Sequence, residues 1–178
     1  MVYVMLADGF EEIEAVTPID ILRRANIDVT TVSITENTSV TGAHNIKIHA
    51  DTTISQIRPD NMQMLILPGG MGHELLDASN EVHALINHAL ANDIYIGAIC
   101  AAPSILGKKM ILEGKKATCF PGFEKYLFGA DILSDKVVTD GKIITGKGPG
   151  AAAEFGFELV KALKDTSTAD ELAKAMQY

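Results

Sequence analysis

Short apolar runs and stripes of helical period alternate along this chain. Residues 2–7, 64–67 and 94–99 form compact apolar runs that are typical of strands buried on both faces. The sequence predicts further strands over 29–34, 45–50 and 116–119, and a hairpin over 136–145 around Asp140-Gly141. Helices are predicted over 11–25, 80–92, 101–109 and 149–163, with a last short helix beginning near Thr168.

This alternation of strand and helix determines the predicted architecture. Repeated strand–helix–strand units form an open parallel sheet with helices on both faces, so an α/β fold is expected. No internal repeat, low-complexity stretch or linker interrupts the pattern, and residues 1–178 are expected to form a single domain.

Composition narrows the classes of partner and compartment. The net charge of −8 argues against binding nucleic acid or an anionic membrane, since both need clustered Lys and Arg. No apolar run approaches the roughly 20 residues of a membrane span. The first residues lack the basic segment of a secretory signal, and two cysteines provide no disulfide framework. A cytoplasmic protein is expected.

Three segments with unusual residues follow three of the predicted strands. They cover residues 8–14, 68–72 and 98–103. In open α/β sheets, ligands bind outside the carboxyl ends of the strands. The coincidence of these segments therefore predicts a functional site at that edge of the sheet.

The sharpest of the three segments contains Cys100 at a strand-to-helix junction among small residues. This pattern is typical of a nucleophile elbow, and a helix that begins there is expected to lower the pKa of the thiol. The alternative is that Cys100 is a small buried apolar residue, as most free cysteines are. Cys119 has no comparable setting and is predicted to be structural.

A cysteine nucleophile needs a group that handles its proton. A standard Cys–His pair is not expected, because Ala101 follows the cysteine and every histidine precedes it: His44, His49, His73, His83 and His88. Glu11, Glu12 and Glu14 crowd the turn after the first strand. Favourable placement at a helix N-terminus is one explanation, and a protonated carboxyl that donates to the thiolate is the other. In the second case, replacing Glu14 with Ala is expected to raise the pKa of Cys100.

Gly69 and Gly70 follow the strand at 64–67 and suggest a third component of the predicted site, besides the cysteine and the acid. Their amides could form an oxyanion hole, although Pro-Gly-Gly is also an ordinary turn sequence. There is no phosphate loop of the form GxxxxGK[ST], and the two cysteines make a poor zinc site. No cofactor and no metal are expected.

Together these segments resemble the ThiJ/PfpI superfamily. The resemblance rests on residues 7–14 (ADGFEEIE), 67–70 (LPGG), 98–103 (AICAAP) and 148–150 (GPG), and it covers about residues 1 to 165. Within the superfamily the chain is similar to the branch of the parkinsonism-associated protein deglycase and its bacterial relatives.

The resemblance implies a flavodoxin-like three-layer α/β/α sandwich with a mostly parallel sheet, and a homodimer. It also implies an oxidation-prone cysteine at Cys100, a protonated acid at Glu14 and oxyanion amides at Gly69 and Gly70. Ala101, directly after the cysteine, completes the candidate site and departs from the histidine of the protease branch.

Two further departures concern the deglycase branch. Phe120 falls where relatives often have a histidine, and His44 falls where they have an arginine from the partner subunit. Both departures count against efficient glyoxalase chemistry, because a proton relay and a cation are missing or replaced.

Two functional hypotheses follow. The first is a cofactor-independent glyoxalase or deglycase that acts on a small reactive α-oxoaldehyde or glycated adduct, with Cys100 as nucleophile and Glu14 as proton shuttle. The second is a redox sensor or stress-response chaperone in which Cys100 is oxidised to the sulfinate without turnover. A third, residual alternative is a metabolite-binding domain with an inert thiol.

Overall fold

The computed structural model describes all residues from 1 to 178. Its strands are β1 (Val2–Leu6), β2 (Val29–Ser33), β3 (Ser39–Thr41), β4 (Lys47–His49), β5 (Thr52–Thr53), β6 (Met64–Leu67), β7 (Tyr95–Ile99), β8 (Lys116–Ala117), β9 (Asp131–Ile132), β10 (Val137–Asp140) and β11 (Ile143–Gly146). Its α-helices are α1 (Glu12–Arg24), α2 (His73–Ala78), α3 (Asn80–Ala91), α4 (Pro103–Lys108), α5 (Ala152–Leu163) and α6 (Thr166–Ala175).

Seven of the strands form one central sheet in the order β10-β11-β7-β6-β1-β2-β5. All neighbours in this sheet are parallel except β10 and β11, which form the predicted antiparallel hairpin. The strands β3 and β4 pair separately, as do β8 and β9. The predicted mostly parallel α/β fold is therefore confirmed.

The central strand β1 shows how the sheet separates two apolar layers. All five of its residues are buried. Val2, Val4 and Leu6 pack into the layer that holds α1 and α5, whereas Tyr3 and Met5 pack against α3 and α4 on the other face. Successive side chains on a strand point to opposite faces, so both faces need apolar residues. Burial of each large aliphatic side chain contributes about 1.5–3 kcal/mol.

Several element boundaries differ from the sequence prediction. The strand predicted over 45–50 is the shorter β4, which lies in the hairpin with β3 and not in the main sheet. The helix predicted from 101 begins at Pro103, because a turn separates it from β7. The helix predicted from 149 begins with a three-residue 3₁₀ turn and becomes α-helical at Ala152. The strand predicted over 116–119 is only two residues long.

Two kinds of element escaped the sequence analysis. The helix α2 has six residues, which is too short for a helical stripe to repeat. The strands β3 and β5 have three and two residues, and they are defined by their pairing and not by a local pattern. Ser79 caps α3, since its Oγ accepts a hydrogen bond from Val82 N at 3.2 Å.

Candidate active site

The three segments singled out in the sequence meet at the carboxyl ends of β1, β6 and β7, which are neighbours in the sheet. Phe10 and Gly70 form an isolated antiparallel bridge between the first two segments. The Glu11 amide donates to the Gly69 carbonyl at 3.1 Å. The predicted convergence of these segments is confirmed, and it follows from the order of the three strands.

Cys100 lies on a strained turn directly after β7. Its φ of +64° is in the left-handed region, which costs a non-glycine residue about 1–2 kcal/mol. Backbone bonds hold it there, because Cys100 N donates to Gly146 O and Phe120 N donates to Cys100 O, each at 2.8 Å. The side chain is only 8% exposed. This geometry is that of a nucleophile elbow, as predicted.

Glu14 is fully buried beside the cysteine, on the first turn of α1. Its Oε2 accepts a hydrogen bond from the Gly69 amide at 2.9 Å, whereas Oε1 has no hydrogen-bond partner. Burial raises the pKa of Glu14 to about 7. A buried carboxylate oxygen without a donor favours the protonated acid, so Glu14 can hold and release a proton near neutral pH.

The prediction of a lowered pKa for Cys100 is wrong. Burial, and then the neighbouring Glu14 carboxylate, raise the pKa of the thiol to about 12. The helix α4 does not reverse this, because it begins three residues later and is only six residues long. The amides of Gly70 and Ala101 interact with the sulfur and oppose the shift.

Cys100 and Glu14 therefore behave as one unit. Ionisation of either group opposes ionisation of the other, so the pair carries a single negative charge over a wide pH range. Moving one proton between them converts a thiol and a carboxylate into a thiolate and a carboxylic acid. This arrangement can present a nucleophile and a proton donor together.

Gly69 and Gly70 have different roles in the structure. A Cβ on Gly69 would lie 2.5 Å from Glu14 Oε2 and 2.6 Å from Cys100 Cβ, so only glycine fits between the two side chains. The Gly69 amide is already donated to Glu14. The expected pair of oxyanion amides is therefore different: Gly70 is one of the two residues whose amides face the sulfur, and the other is Ala101 instead of Gly69.

His44 contacts the acidic residues at the start of α1 within the same chain. Its Nδ1 lies 2.9 Å from Glu12 Oε2, and its backbone amide donates to Glu12 Oε1 at 2.8 Å. The hydrogen bond to Glu12 and the charge of Glu11 raise the pKa of His44. Although burial opposes it, the hydrogen bonds from His44 lower the pKa of Glu12. These three residues also place one ligand atom each within 4.8 Å of one another, which is a spacing suited to a metal ion.

Phe120 forms the other rim. It is 42% exposed and lines a cleft of about 320 Å³ together with Pro121, Lys136, Lys147, Gly148 and Pro149. An aromatic ring at this position supplies an apolar wall and no proton relay.

Cys119, the preceding residue, is buried, and burial raises the pKa of its thiol to about 11. The hydrogen bond from Cys100 N to the Gly146 carbonyl was not predicted, because a residue of any type can supply a backbone carbonyl.

None of the helices combines the length and apolar character that crossing a membrane requires.

Comparison with known proteins places the chain in a family. The model of the DJ-1/PfpI family matches residues 1–162. Protein dj-1beta of Drosophila melanogaster is 35% identical over 176 residues, covering 97% of this chain and 94% of the fly protein. Protein DJ-1 homolog B of Arabidopsis thaliana is 38% identical over 175 residues, but these make up only 40% of the plant protein.

Solved structures agree with these sequence matches. A mutant of a DJ-1 superfamily protein from Salmonella typhimurium superposes with a TM-score of 0.94 at 35% identity, covering 99% of this chain and 97% of the other. Oxidised DJ-1 from Toxoplasma gondii superposes with a TM-score of 0.95 at 32% identity, with the same coverage. With a family model that spans nearly the whole fold and relatives that share both sequence and architecture, this chain belongs to the DJ-1/PfpI family.

Proposed function

We propose that this protein is a cysteine-dependent, cofactor-independent enzyme that converts small α-oxoaldehydes, or their adducts, to hydroxy acids. One observation carries the proposal: Cys100 on its strained elbow adjoins the buried Glu14, whose pKa is raised to about 7. A nucleophile and a proton carrier poised near neutral pH are what isomerisation of an α-oxoaldehyde requires.

The first step is addition to the aldehyde. The Cys100 proton passes to Glu14 as the sulfur bonds to the aldehyde carbon. Glu14 then gives this proton to the carbonyl oxygen, which completes the hemithioacetal and restores the Glu14 carboxylate. The amides of Gly70 and Ala101 stabilise the negative charge at the sulfur before the bond forms.

Proton transfer through Glu14 then completes the reaction. The Glu14 carboxylate removes the proton from the carbon bonded to sulfur, giving an enediolate, and returns it to the neighbouring carbon. The hydroxyl proton of the first carbon passes to the oxygen of the second. The product of these two transfers is a thioester of a 2-hydroxy acid. Water hydrolyses the thioester, releases the acid and restores the thiol, so no external oxidant or reductant is consumed.

Methylglyoxal turnover tests this function. Lactate formation is measured without glutathione or added metal for wild type, Cys100→Ser and the matched control Cys119→Ser. We expect Cys100→Ser to abolish lactate formation and Cys119→Ser to retain it, since only the first thiol adjoins the buried Glu14. Lactate formation by Cys100→Ser at the wild-type rate contradicts the proposal.

A redox-sensing role is the second candidate, favoured by the same carboxyl. Two equivalents of hydrogen peroxide would convert the Cys100 thiolate to a sulfinate, releasing water at each step. A protonated Glu14 could donate a hydrogen bond to that product. Mass spectrometry after peroxide treatment distinguishes the roles: two added oxygens on Cys100 alone, with no lactate formation, support the sensor.

We also propose that the single-domain protein is a cytoplasmic homodimer. On the outer face of α1, Ile13 and Val16 are 51% and 45% exposed, which is unusual for large aliphatic side chains on a helix. Light scattering should give twice the 19.0 kDa chain mass, and Ile13→Glu should reduce it to the monomer mass.

A further inference from the structure

A second cleft lies beside α2 and α4. It encloses about 400 Å³ and is lined by residues of α2, α4 and the segment 122–126, including Asp77, Lys108 and Tyr126. Two polar side chains in its wall are buried, His73 at 6% and Ser104 at 1% exposure. Buried polar groups need partners, and both of these have their partners in the candidate active site.

His73 contacts the residue whose amide faces the sulfur. Its Nδ1 lies 2.8 Å from the Gly70 carbonyl oxygen. A carbonyl oxygen only accepts, so Nδ1 carries the proton and donates it. The ring is held edge-to-face against Phe123, with centroids 5.2 Å apart and an interplanar angle of 84°. The donor is therefore fixed in place by packing.

Gly70 needs such a restraint because it has no side chain and adopts a φ of +76°. The peptide plane that contains its amide is held on one side, where Glu11 N donates to Gly69 O. The next plane is held at the Gly70 carbonyl, which accepts from the His73 backbone amide at 3.2 Å and from Nδ1 of the same residue at 2.8 Å. Fixing both planes fixes the direction of the amide.

Ser104 makes the corresponding contact to Ala101. Its Oγ donates to the Ala101 carbonyl oxygen at 2.6 Å. The preceding peptide plane is held where Phe120 N donates to Cys100 O. The Ala101 carbonyl also accepts from Ser104 N at 3.1 Å, so each of the Gly70 and Ala101 carbonyls accepts from one backbone amide and from one buried side chain.

We propose that His73 is a positioning residue of the Cys100 site, which aims the Gly70 amide at the sulfur through the Gly70 carbonyl, and that Ser104 acts in the same way on Ala101. Neither side chain touches the substrate in this role. The inference concerns the site of the proposed enzyme, but it is tested on thiol reactivity and stands or falls without turnover.

The test compares two amide replacements at His73. In His73→Asn the side-chain amide nitrogen can occupy the position of Nδ1, whereas in His73→Gln it occupies that of Nε2. The pH dependence of Cys100 alkylation by iodoacetamide is measured for both in a Cys119→Ser background. Loss of an aligned donor to a charged sulfur should slow alkylation roughly tenfold and move the profile to higher pH. We expect this for His73→Gln and near-complete rescue by His73→Asn.

A core variant separates positioning from general destabilisation. Leu76→Ala removes apolar packing from α2 without touching Gly70, so it should lower the thermal midpoint while leaving the alkylation profile unchanged. Ser104→Ala should shift the profile in the same direction as His73→Gln, and Ser104→Thr should restore it. Equal profiles for His73→Gln and wild type, or a shift in Leu76→Ala as large as in His73→Gln, would overturn the proposal.

Discussion

The Gly69 amide donates a hydrogen bond to Glu14 Oε2 across 2.9 Å, and the other carboxyl oxygen, Oε1, is left buried without a donor. The hydrogen bonds from the Cys100 thiol and the Gly69 amide do not compensate the desolvation of a full negative charge. The carboxyl therefore tends to keep its proton beside Cys100, and four predictions follow from this pair and its surroundings.

Replacing Glu14 with Gln should lower the pKa of Cys100 from about 12, because a carboxylate that opposes ionisation of the thiol is replaced by a neutral amide. This is the reverse of the direction expected from sequence if a protonated Glu14 donates to the thiolate. Thiolate absorbance near 240 nm, titrated in a Cys119→Ser background, gives the shift. The same variant should lose at least a hundredfold in lactate formation, since an amide cannot shuttle the proton. A raised pKa would show that the donor role dominates.

Glu14 should also make folding stability depend on pH. Its pKa is raised from 4.5 to about 7, so the carboxyl favours folding fully below pH 4.5 and this contribution is lost as pH rises to about 7. Relative to wild type, Glu14→Gln should gain about 3 kcal/mol of unfolding free energy between pH 4.5 and pH 7.5. Urea unfolding of both proteins at the two pH values measures this difference. If the two proteins differ in unfolding free energy by the same amount at both pH values, the buried carboxyl is ionised over this whole pH range.

Gly69→Ala should disrupt the site, because its Cβ would lie within 2.6 Å of both Glu14 Oε2 and Cys100 Cβ. Overpacking of this kind costs about 1–3 kcal/mol. Gly150→Ala is the matched control, since no heavy atom lies within 4 Å of its added Cβ. Urea unfolding and the Cys100 alkylation rate should change in the first variant and not in the second. Wild-type values in Gly69→Ala would contradict the described packing.

His44 should titrate above its ordinary value of 6.5, because the hydrogen bond to Glu12 and the charge of Glu11 favour its protonated form. Its contribution to stability is complete below pH 6.5 and is lost as pH rises through the raised pKa. Following the His44 ring protons by NMR gives the value directly, and Glu12→Gln should lower it. Glu81→Gln on α3 serves as a distant control. An unchanged pKa of His44 in Glu12→Gln would show that the hydrogen bond to Glu12 does not raise it.

Much of the architecture could be predicted from sequence, for an identifiable reason. A strand buried on both faces must be apolar at nearly every position, and β1, β6 and β7 have that signature over four or five residues. The short elements β3, β5 and α2 have no such signature, because their conformation depends on pairing and packing with distant segments.

The residues of the site could be predicted from sequence, but the hydrogen bonds among them could not. The residues Cys100, Glu14, Gly69, Gly70 and Ala101 follow strands that must end at one edge of a parallel sheet, so their proximity could be inferred. The Gly69 amide faces Glu14 and the Ala101 amide faces the sulfur, and this depends on the directions of individual peptide planes. Residue type carries no information about those directions.

By itself, the sequence of this protein determined the order of its longer strands and helices, because the periodicity of apolar residues is a local property of the chain. It also determined the edge of the sheet where reactive groups gather and the cysteine at the centre of that edge. Only the tertiary structure decided the protonation of that site. It buried Cys100 and Glu14 together, raised the pKa of both groups, and brought His73 and Ser104 against the carbonyls of the two residues that face the sulfur. A pKa reflects the solvent and charge surrounding a group in three dimensions, and residues far apart in the chain supply both.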